Sequence, residues 1–266
     1  MFILNQIKPD MISLKEFALA HEYFVAAHRG SSGTAPENTM AAFNEAIEAG
    51  ANMIETDVQL TSDGYIVSFH DLKLLKKSND ENKIGELTLE NLLMLDAGSW
   101  FDEKFAGEKI PLLSDIFQLI KDKIYLLIEL KLQKSGGNNI LVNNLLSMLS
   151  EYEISNQVLI ASFHYKLLNE LKNKMPELPV GAIKIPLDFR LPSKIRKETG
   201  CDVFICAVNE LNDKIVKDAA ENNIYMSAYL IDSEEDLKTA LKYNVKAIGT
   251  NYPARIIEML NSLNKV

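Results

Sequence analysis

Short apolar runs alternate with stretches of helical periodicity along most of this chain. The runs fall at 23–27, 51–57, 124–130, 157–161, 179–184, 202–207, 224–229 and 246–249. Between them, apolar residues recur every three or four positions, as on one face of a helix. Met40, Phe43 and Ile47 make one such stripe, and Gly50 stops it. Thr34-Ala35-Pro36-Glu37 reads as a capping box with proline in the first turn. Further helices are predicted at 114–121, 138–151, 165–174, 190–198, 211–221, 233–242 and 253–263. Such alternation predicts βαβ units around a parallel sheet. The last five strands begin roughly 22 residues apart, the length of one strand, one helix and two short loops. Eight strands with eight helices predict an α/β fold of the (β/α)8 TIM barrel type. An open doubly wound sheet is the alternative, but the chain lacks its G-x-G-x-x-G turn.

One connection breaks the rhythm. Some forty residues separate His70 from the helix near Ser114, longer than compact domains ordinarily tolerate without a purpose. This stretch carries Leu87, Leu89, Leu92, Leu93, Leu95, Trp100, Phe101 and Phe105, so it should fold as a small insertion over the barrel mouth. The division that follows is an extension at 1–22, with one helix near 14–20, and a barrel at 23–266. The barrel holds an insertion after its second strand, at about 71–112. Trp100 and Phe101 form an aromatic pair that is expected to pack the insertion rather than meet a substrate.

Charged residues cluster where the strands should end. His28-Arg29-Gly30 follows the first run, Glu55-Thr56-Asp57 closes the second, His70-Asp71 follows 66–69, and Glu129-Leu130-Lys131 closes 124–130. Buried charge is costly unless it is paired or binds a metal. Residues two apart on a strand face the same way, so Glu55 shares a face with Asp57, and Glu129 with Lys131. In a barrel that face is the interior, opening at the C-terminal mouth. Three carboxylates meeting there would resist ionising together. A bound cation removes the conflict, and oxygen ligands suit Mg²⁺, Ca²⁺ or Mn²⁺ rather than zinc. His28 and His70 can act as general acid and base near neutral pH. Arg29 offers a fork of donors for phosphate and Lys131 a point charge for the same group. His21 and His164 carry no such company. Glu37, Asn38 and Thr39 are assigned to shaping the loop and helix start, and Asp63-Gly64 to a tight turn.

Composition narrows the setting. With 28 basic and 37 acidic residues, the net charge of -9 disfavours nucleic acid or an anionic membrane as the main partner. Cys201 and Cys206 match neither a zinc spacing nor a disulfide pair, which suits a reduced, cytoplasmic compartment. No run approaches the roughly 18 apolar residues of a spanning helix. A homo-oligomer is compatible with the sequence but not specified by it.

Taken in order, the motifs resemble a known family. His28-Arg29-Gly30, Ala35-Pro36-Glu37-Asn38-Thr39, Ile54-Glu55-Thr56-Asp57-Val58, Thr61-Ser62-Asp63-Gly64 and His70-Asp71 look like the opening signature of the glycerophosphodiester phosphodiesterases. The likeness continues through Ala97-Gly98-Ser99-Trp100-Phe101, Ile110-Pro111-Leu112-Leu113, Glu129-Leu130-Lys131 and Ser162-Phe163, and ends at Thr250-Asn251-Tyr252-Pro253. It implies a TIM barrel with a small insertion, and metal-dependent hydrolysis of glycerophosphodiesters to sn-glycerol 3-phosphate and an alcohol. By the same resemblance His28 and His70 are the acid/base pair, Glu55, Asp57 and Glu129 hold one divalent cation, and Arg29 and Lys131 bind phosphate. Two departures bear on the preferred alcohol. Lys77-Ser78 stands where the family often has Arg-Thr, and Tyr229-Leu230-Ile231-Asp232 where it often has Trp-Thr-Val-Asn. Competing readings are a lysophospholipase D and a barrel that binds phosphodiesters without turning them over. The first would need an apolar groove near Trp100 and Phe101.

Overall fold

The computed structural model describes residues 11–71, 74, 83–133 and 137–263. Lys77-Ser78 lies outside the described residues. Eight parallel strands close into a ring, a TIM barrel: β1 (Phe24–Ala27), β2 (Met53–Leu60), β4 (Tyr125–Leu130), β5 (Val158–Ser162), β6 (Val180–Ile183), β7 (Val203–Ala207), β8 (Tyr225–Tyr229) and β9 (Ala247–Thr250). Closure comes from β1, which pairs in parallel with both β2 and β9. All eight strands expected from the apolar runs are present. A ninth, β3 (Ile66–Ser68), folds back antiparallel on the outer end of β2, with Val58 opposite Ser68. It was not among the eight because its apolar run follows a turn rather than a helix.

Helices cover the barrel: α2 (Met40–Glu48), α4 (Leu113–Ile120), α5 (Asn138–Glu151), α6 (Tyr165–Lys174), α7 (Pro192–Thr199), α8 (Asp213–Glu221), α9 (Glu234–Lys242) and α10 (Pro253–Leu263). The start of α2 differs from the expected capping box at Thr34. Thr39 is the N-cap, and its hydroxyl accepts from Ala42 N at 3.3 Å. Asn38 has a left-handed φ of 56°, which no helix continues through, so 28–39 form a compact loop instead. That loop puts polar side chains over the end of β2.

The two faces of each strand divide the core in two. Val25, Ala27, Ile54, Leu126, Ile128, Val158 and Ile160 point out to the helices and join their buried faces. Phe24, Ala26, Met53, Tyr125, Leu127, Leu159, Ile183 and Ile205 point inward and fill the lower barrel. The alternation is strict, so each inward position is followed two residues later by another. Ahead of the barrel, α1 (Leu14–Ala20) closes the N-terminal end, packing Leu14, Phe17 and Ala18 on that inner layer. Its start is a capping box between Ser13 and Glu16, and Tyr125 Oη donates to Ile12 O at 2.9 Å.

Past β3 the chain builds a small unit on its own apolar cluster of Val67, Phe69, Leu74, Ile84, Leu92, Ala97 and Ile110. Its helix is α3 (Leu89–Leu93). Asp63 ties it down by accepting from Leu89 N at 3.1 and 3.2 Å, and Ser68 N donates to Pro111 O at 2.8 Å. Trp100 and Phe101 meet edge to face at 5.6 Å, and the indole N–H donates to Ala97 O at 2.7 Å. Phe43 on α2 is fully buried in the outer core. Phe43→Ala should lower the unfolding free energy by about 3–5 kcal/mol. A urea denaturation curve checks this, and a loss below about 1 kcal/mol would mean that α2 does not anchor the loop it follows.

Candidate active site

The strand parity that fills the lower barrel with apolar groups delivers charge at its upper end. After Met53 the inward positions are Glu55 and Asp57, and after Tyr125 and Leu127 come Glu129 and Lys131. Asp57 and Glu129 are register partners on adjacent strands, so they sit side by side. Glu55, Asp57 and Glu129 each bring one carboxylate oxygen within 4.8 Å of the others, all three buried. They form a cluster of acidic residues that could hold a metal.

Two cations interleave with them. Arg29 Nε stands 3.1 Å from Asp57 Oδ2, and Arg29 Nη1 donates to Glu37 Oε1 at 3.1 Å. Lys131 Nζ lies 2.8 Å from Asp57 Oδ1 and also bonds Glu129 Oε1. Arg29 Nε, at ion-pair distance from Asp57 Oδ2, and Asp57 Oδ1, at ion-pair distance from Lys131 Nζ, each lack a well-aligned hydrogen bond. Arg29 itself has a left-handed φ of 55°, which turns its main-chain N–H onto Glu55 Oε2 at 2.8 Å. Gly30 continues the turn with φ 77°, where a Cβ would come within 2.6 Å of the Ala42 carbonyl carbon.

The electrostatics split the three carboxyls. Burial pushes Glu55 well above the ordinary carboxylate range, with Asp57 and Glu129 adding to the effect. Burial, then the Asp57 charge, raises Glu129 to about 7. Asp57 is buried too, but Lys131, Arg29 and His70 outweigh that and hold it far below the usual range. Burial alone would lower Arg29 and Lys131, yet the carboxylates raise both. Protein cations thus hold only Asp57 below its ordinary range, while Glu55, and Glu129 despite its bond to Lys131, stay raised. A divalent cation with oxygen ligands fits that shortfall.

Both strand-end histidines reach the same mouth. His28 follows β1, and its Nδ1 lies 2.8 Å from Asn251 Oδ1. Asn251 is oriented by Asp232, which accepts from its Nδ2 at 2.6 Å and its main-chain N at 2.8 Å. The amide oxygen therefore faces His28, which must carry its proton on Nδ1 and leave Nε2 bare. His70 follows β3, with Nδ1 2.9 Å from Asp71 Oδ1. Burial first lowers both imidazoles, with Arg29 adding at His28, while Asp57 opposes the shift at His70. His21 sits at the opposite end, bonded to Phe17 O at 2.9 Å. His164 lies near the mouth, lowered by burial and by Lys131.

All seven expected residues converge on this mouth, and Asp57 alone does not line the cavity there. That cavity of about 250 Å³ is lined by His28, Arg29, Glu55, His70, Glu129 and Lys131 on one side. Its other side is mainly apolar, with Leu127, Phe163, Ile183, Ile205 and Tyr229 beside Ser227. Trp100 and Phe101 are not among its lining residues. Sequence reasoning missed the supporting partners. Asn38 is buried and does more than shape its loop: Nδ2 donates to Asp57 Oδ2 at 2.9 Å, and Oδ1 accepts from Thr56 and Ser68. Ser32 went unnoticed, and Glu37, Asp71, Asp232 and Asn251, though noted in the sequence, were given no supporting part in the site. For Asn251 the available signal was its place just past a strand, as for His28.

The sequence matches the glycerophosphoryl diester phosphodiesterase family over residues 28–255. A glycerophosphodiester phosphodiesterase of Caldanaerobacter subterraneus subsp. tengcongensis is 35% identical over 245 residues, 89% of this chain and 97% of that protein. One from Bacillus altitudinis is 28% identical over 243 residues, 88% of this chain and 97% of its own length. A phosphodiesterase from Oleispira antarctica, solved with the product sn-glycerol-3-phosphate, superposes with a TM-score of 0.85 at 27% identity. That likeness covers 92% of this chain and 99% of the other.

The raised Glu129 makes stability depend on pH. A carboxyl whose folded pKa lies above its unfolded value holds its proton more tightly in the fold. That contribution is complete below the unfolded value of 4.5 and is lost as pH rises through about 7. The cation-free protein should therefore melt lower as pH goes from about 5 to about 8, and Glu129→Gln should flatten the slope. A thermal-melt series on both proteins checks this. Parallel slopes would mean that ionising Glu129 carries no penalty.

Proposed function

The chain belongs to the glycerophosphoryl diester phosphodiesterase family, and from that premise we propose metal-dependent hydrolysis of glycerophosphodiesters to sn-glycerol 3-phosphate and an alcohol. It is an enzyme of the phosphoric diester hydrolase class. The observation that carries the metal dependence is the buried trio of Glu55, Asp57 and Glu129, of which only Asp57 is held below its ordinary range by protein cations. We assign those three to one divalent cation, Ca²⁺ or Mg²⁺, with Mn²⁺ as a further candidate. When bound, such an ion withdraws charge from a phosphate oxygen.

The chain's own groups do the rest. Arg29 and Lys131 are held over the carboxylates by Asp57, and their free donors stabilise charge that builds on the phosphorus oxygens. His28 and His70 move the protons, one taking a proton from the nucleophile and the other giving one to the departing alkoxide. Asp71 favours the imidazolium at His70, whereas His28 rests on a neutral amide. That contrast supports His70 as the proton donor and His28, through Nε2, as the acceptor. The substrate is a small glycerophosphodiester, in keeping with the cavity's size and its charged side.

His28→Ala and His70→Ala should each lower turnover by about a hundred- to ten-thousand-fold. The measurement is enzyme-coupled detection of glycerol 3-phosphate released from glycerophosphocholine, with Ca²⁺, Mg²⁺ or Mn²⁺ and with a chelator. Chelation should abolish release, and the preferred ion should restore it. Near-normal turnover by either variant would sink the acid/base assignment, and full activity in chelator would sink the metal site.

A further inference from the structure

Three residues stand behind His28 and outside the lining of the cavity: Ser32, Asn251 and Asp232. Asn251 is the one that meets the imidazole, 2.8 Å from its Nδ1. An amide can face a histidine with its oxygen or with its nitrogen, and the two choices call for opposite tautomers. Oxygen requires the imidazole proton on Nδ1. Nitrogen requires a bare Nδ1 and moves the proton to Nε2, where it blocks a base. Ser32 does not decide between them. Its Oγ lies 2.6 Å from His28 O and 2.8 Å from Asn251 Oδ1, and a hydroxyl can donate to an amide oxygen or accept from an amide nitrogen.

Asp232 does decide. Its Oδ1 is taken by two donors, Thr250 Oγ1 and Asn251 N, each at 2.8 Å. That pins the carboxylate and leaves Oδ2 to accept from Asn251 Nδ2 at 2.6 Å. An ionised carboxylate only accepts, so Asn251 must turn its nitrogen to Asp232 and its oxygen to His28. The main chain is held at the same place, since His28 N donates to Thr250 O at 2.8 Å. An amide at position 232 would reverse the order. The same two donors would hold its oxygen, and its nitrogen would take the place of Oδ2 and confront the Asn251 nitrogen. Asn251 would then flip and present Nδ2 to His28.

Resting on the acid/base reading above, we propose that Asp232 is a positioning residue that sets the working tautomer of His28 through Asn251. Acid and amide at positions 232 and 251 can therefore be exchanged together but not one at a time. In the pair as it stands, Nε2 takes the proton of the nucleophile, and the imidazolium keeps its Nδ1 proton on the Asn251 oxygen. With the order reversed at both positions, the amide at 232 donates to a carboxylate at 251, and that carboxylate accepts from Nδ1. With Asp232 alone replaced by an amide, Nε2 carries a proton and has no lone pair to offer. The motif resemblance often places asparagine at 232, so the acid here calls for a partner that donates to it, and Asn251 is that partner.

The test reads the tautomer directly, in two-bond proton–nitrogen NMR spectra of the metal-free protein at about pH 8, where an ordinary imidazole is neutral. The chain has four histidines, and the His28→Ala spectrum assigns the signal. Wild type should carry the His28 proton on Nδ1, and Asp232→Asn should carry it on Nε2. With glycerophosphocholine, Asp232→Asn should lower kcat by about a hundredfold or more and leave KM within about threefold. The double variant Asp232→Asn/Asn251→Asp should return the proton to Nδ1 and bring kcat to within about tenfold of wild type. It decides the matter even if the single variant does not fold. An Asp232→Asn protein that keeps its proton on Nδ1 overturns the proposal, and so does a double variant with the proton on Nε2 or with kcat no better than the single. If wild type releases no glycerol 3-phosphate while the tautomer follows position 232, the hydrolase reading falls and the positioning role stands.

Discussion

Everything at the mouth of this barrel answers to the mutual repulsion of three buried carboxylates. Strand register sets Asp57 beside Glu129, and parity puts Glu55 on the face of Asp57, so the backbone itself brings the three together. Arg29 and Lys131 enter from β1 and β4 and spend most of their charge on Asp57. Asp57 is consequently held ionised, while Glu55 and Glu129 are pushed upward. A site with one acid held ionised and two pushed upward suits a small ion of high charge. It is also a standing cost to the fold, of the kind that functional sites impose on otherwise consistent structures.

The fixed geometry comes from outside the trio. Asn38 bonds Asp57, Thr56 and Ser68 at once and so joins β1's loop, β2 and β3. Asp232 orients Asn251, and Asn251 orients His28, which joins the last two barrel loops to the first. These partners are neutral or already paired, so they hold the reactive groups without adding to the crowding of charge. Preorganisation of this sort is what lets dipoles and charges act without rearranging as the reaction proceeds.

Much of this was legible from the sequence, for a definite reason. A buried parallel strand reads as an apolar run, and a charged pair at its end stands out because little else would place it there. That logic located β1, β2 and β4 together with His28, Arg29, Glu55, Asp57, His70, Glu129 and Lys131. It failed where the signal is tertiary. The loop at 28–39 looked like a helix start because Thr34 and Glu37 have capping-box spacing, but Glu37 is taken up by Arg29 and Asn38 turns left-handed. Asn251 and Asp232 are ordinary polar residues in a one-dimensional reading. Only closure of the ring, β9 against β1, brings them to His28.

Strand parity also explains why one cavity has two characters. The inward positions of β1, β2 and β4 end in ionisable groups, whereas those of β6 and β7 end in Ile183 and Ile205. The barrel itself does not demand that difference, since all eight parallel strands open on one mouth. A barrel that needed only to bind a phosphate could have been polar all round. In the proposed reaction the charged half faces the phosphodiester, and the apolar half closes the opposite side of the same cavity.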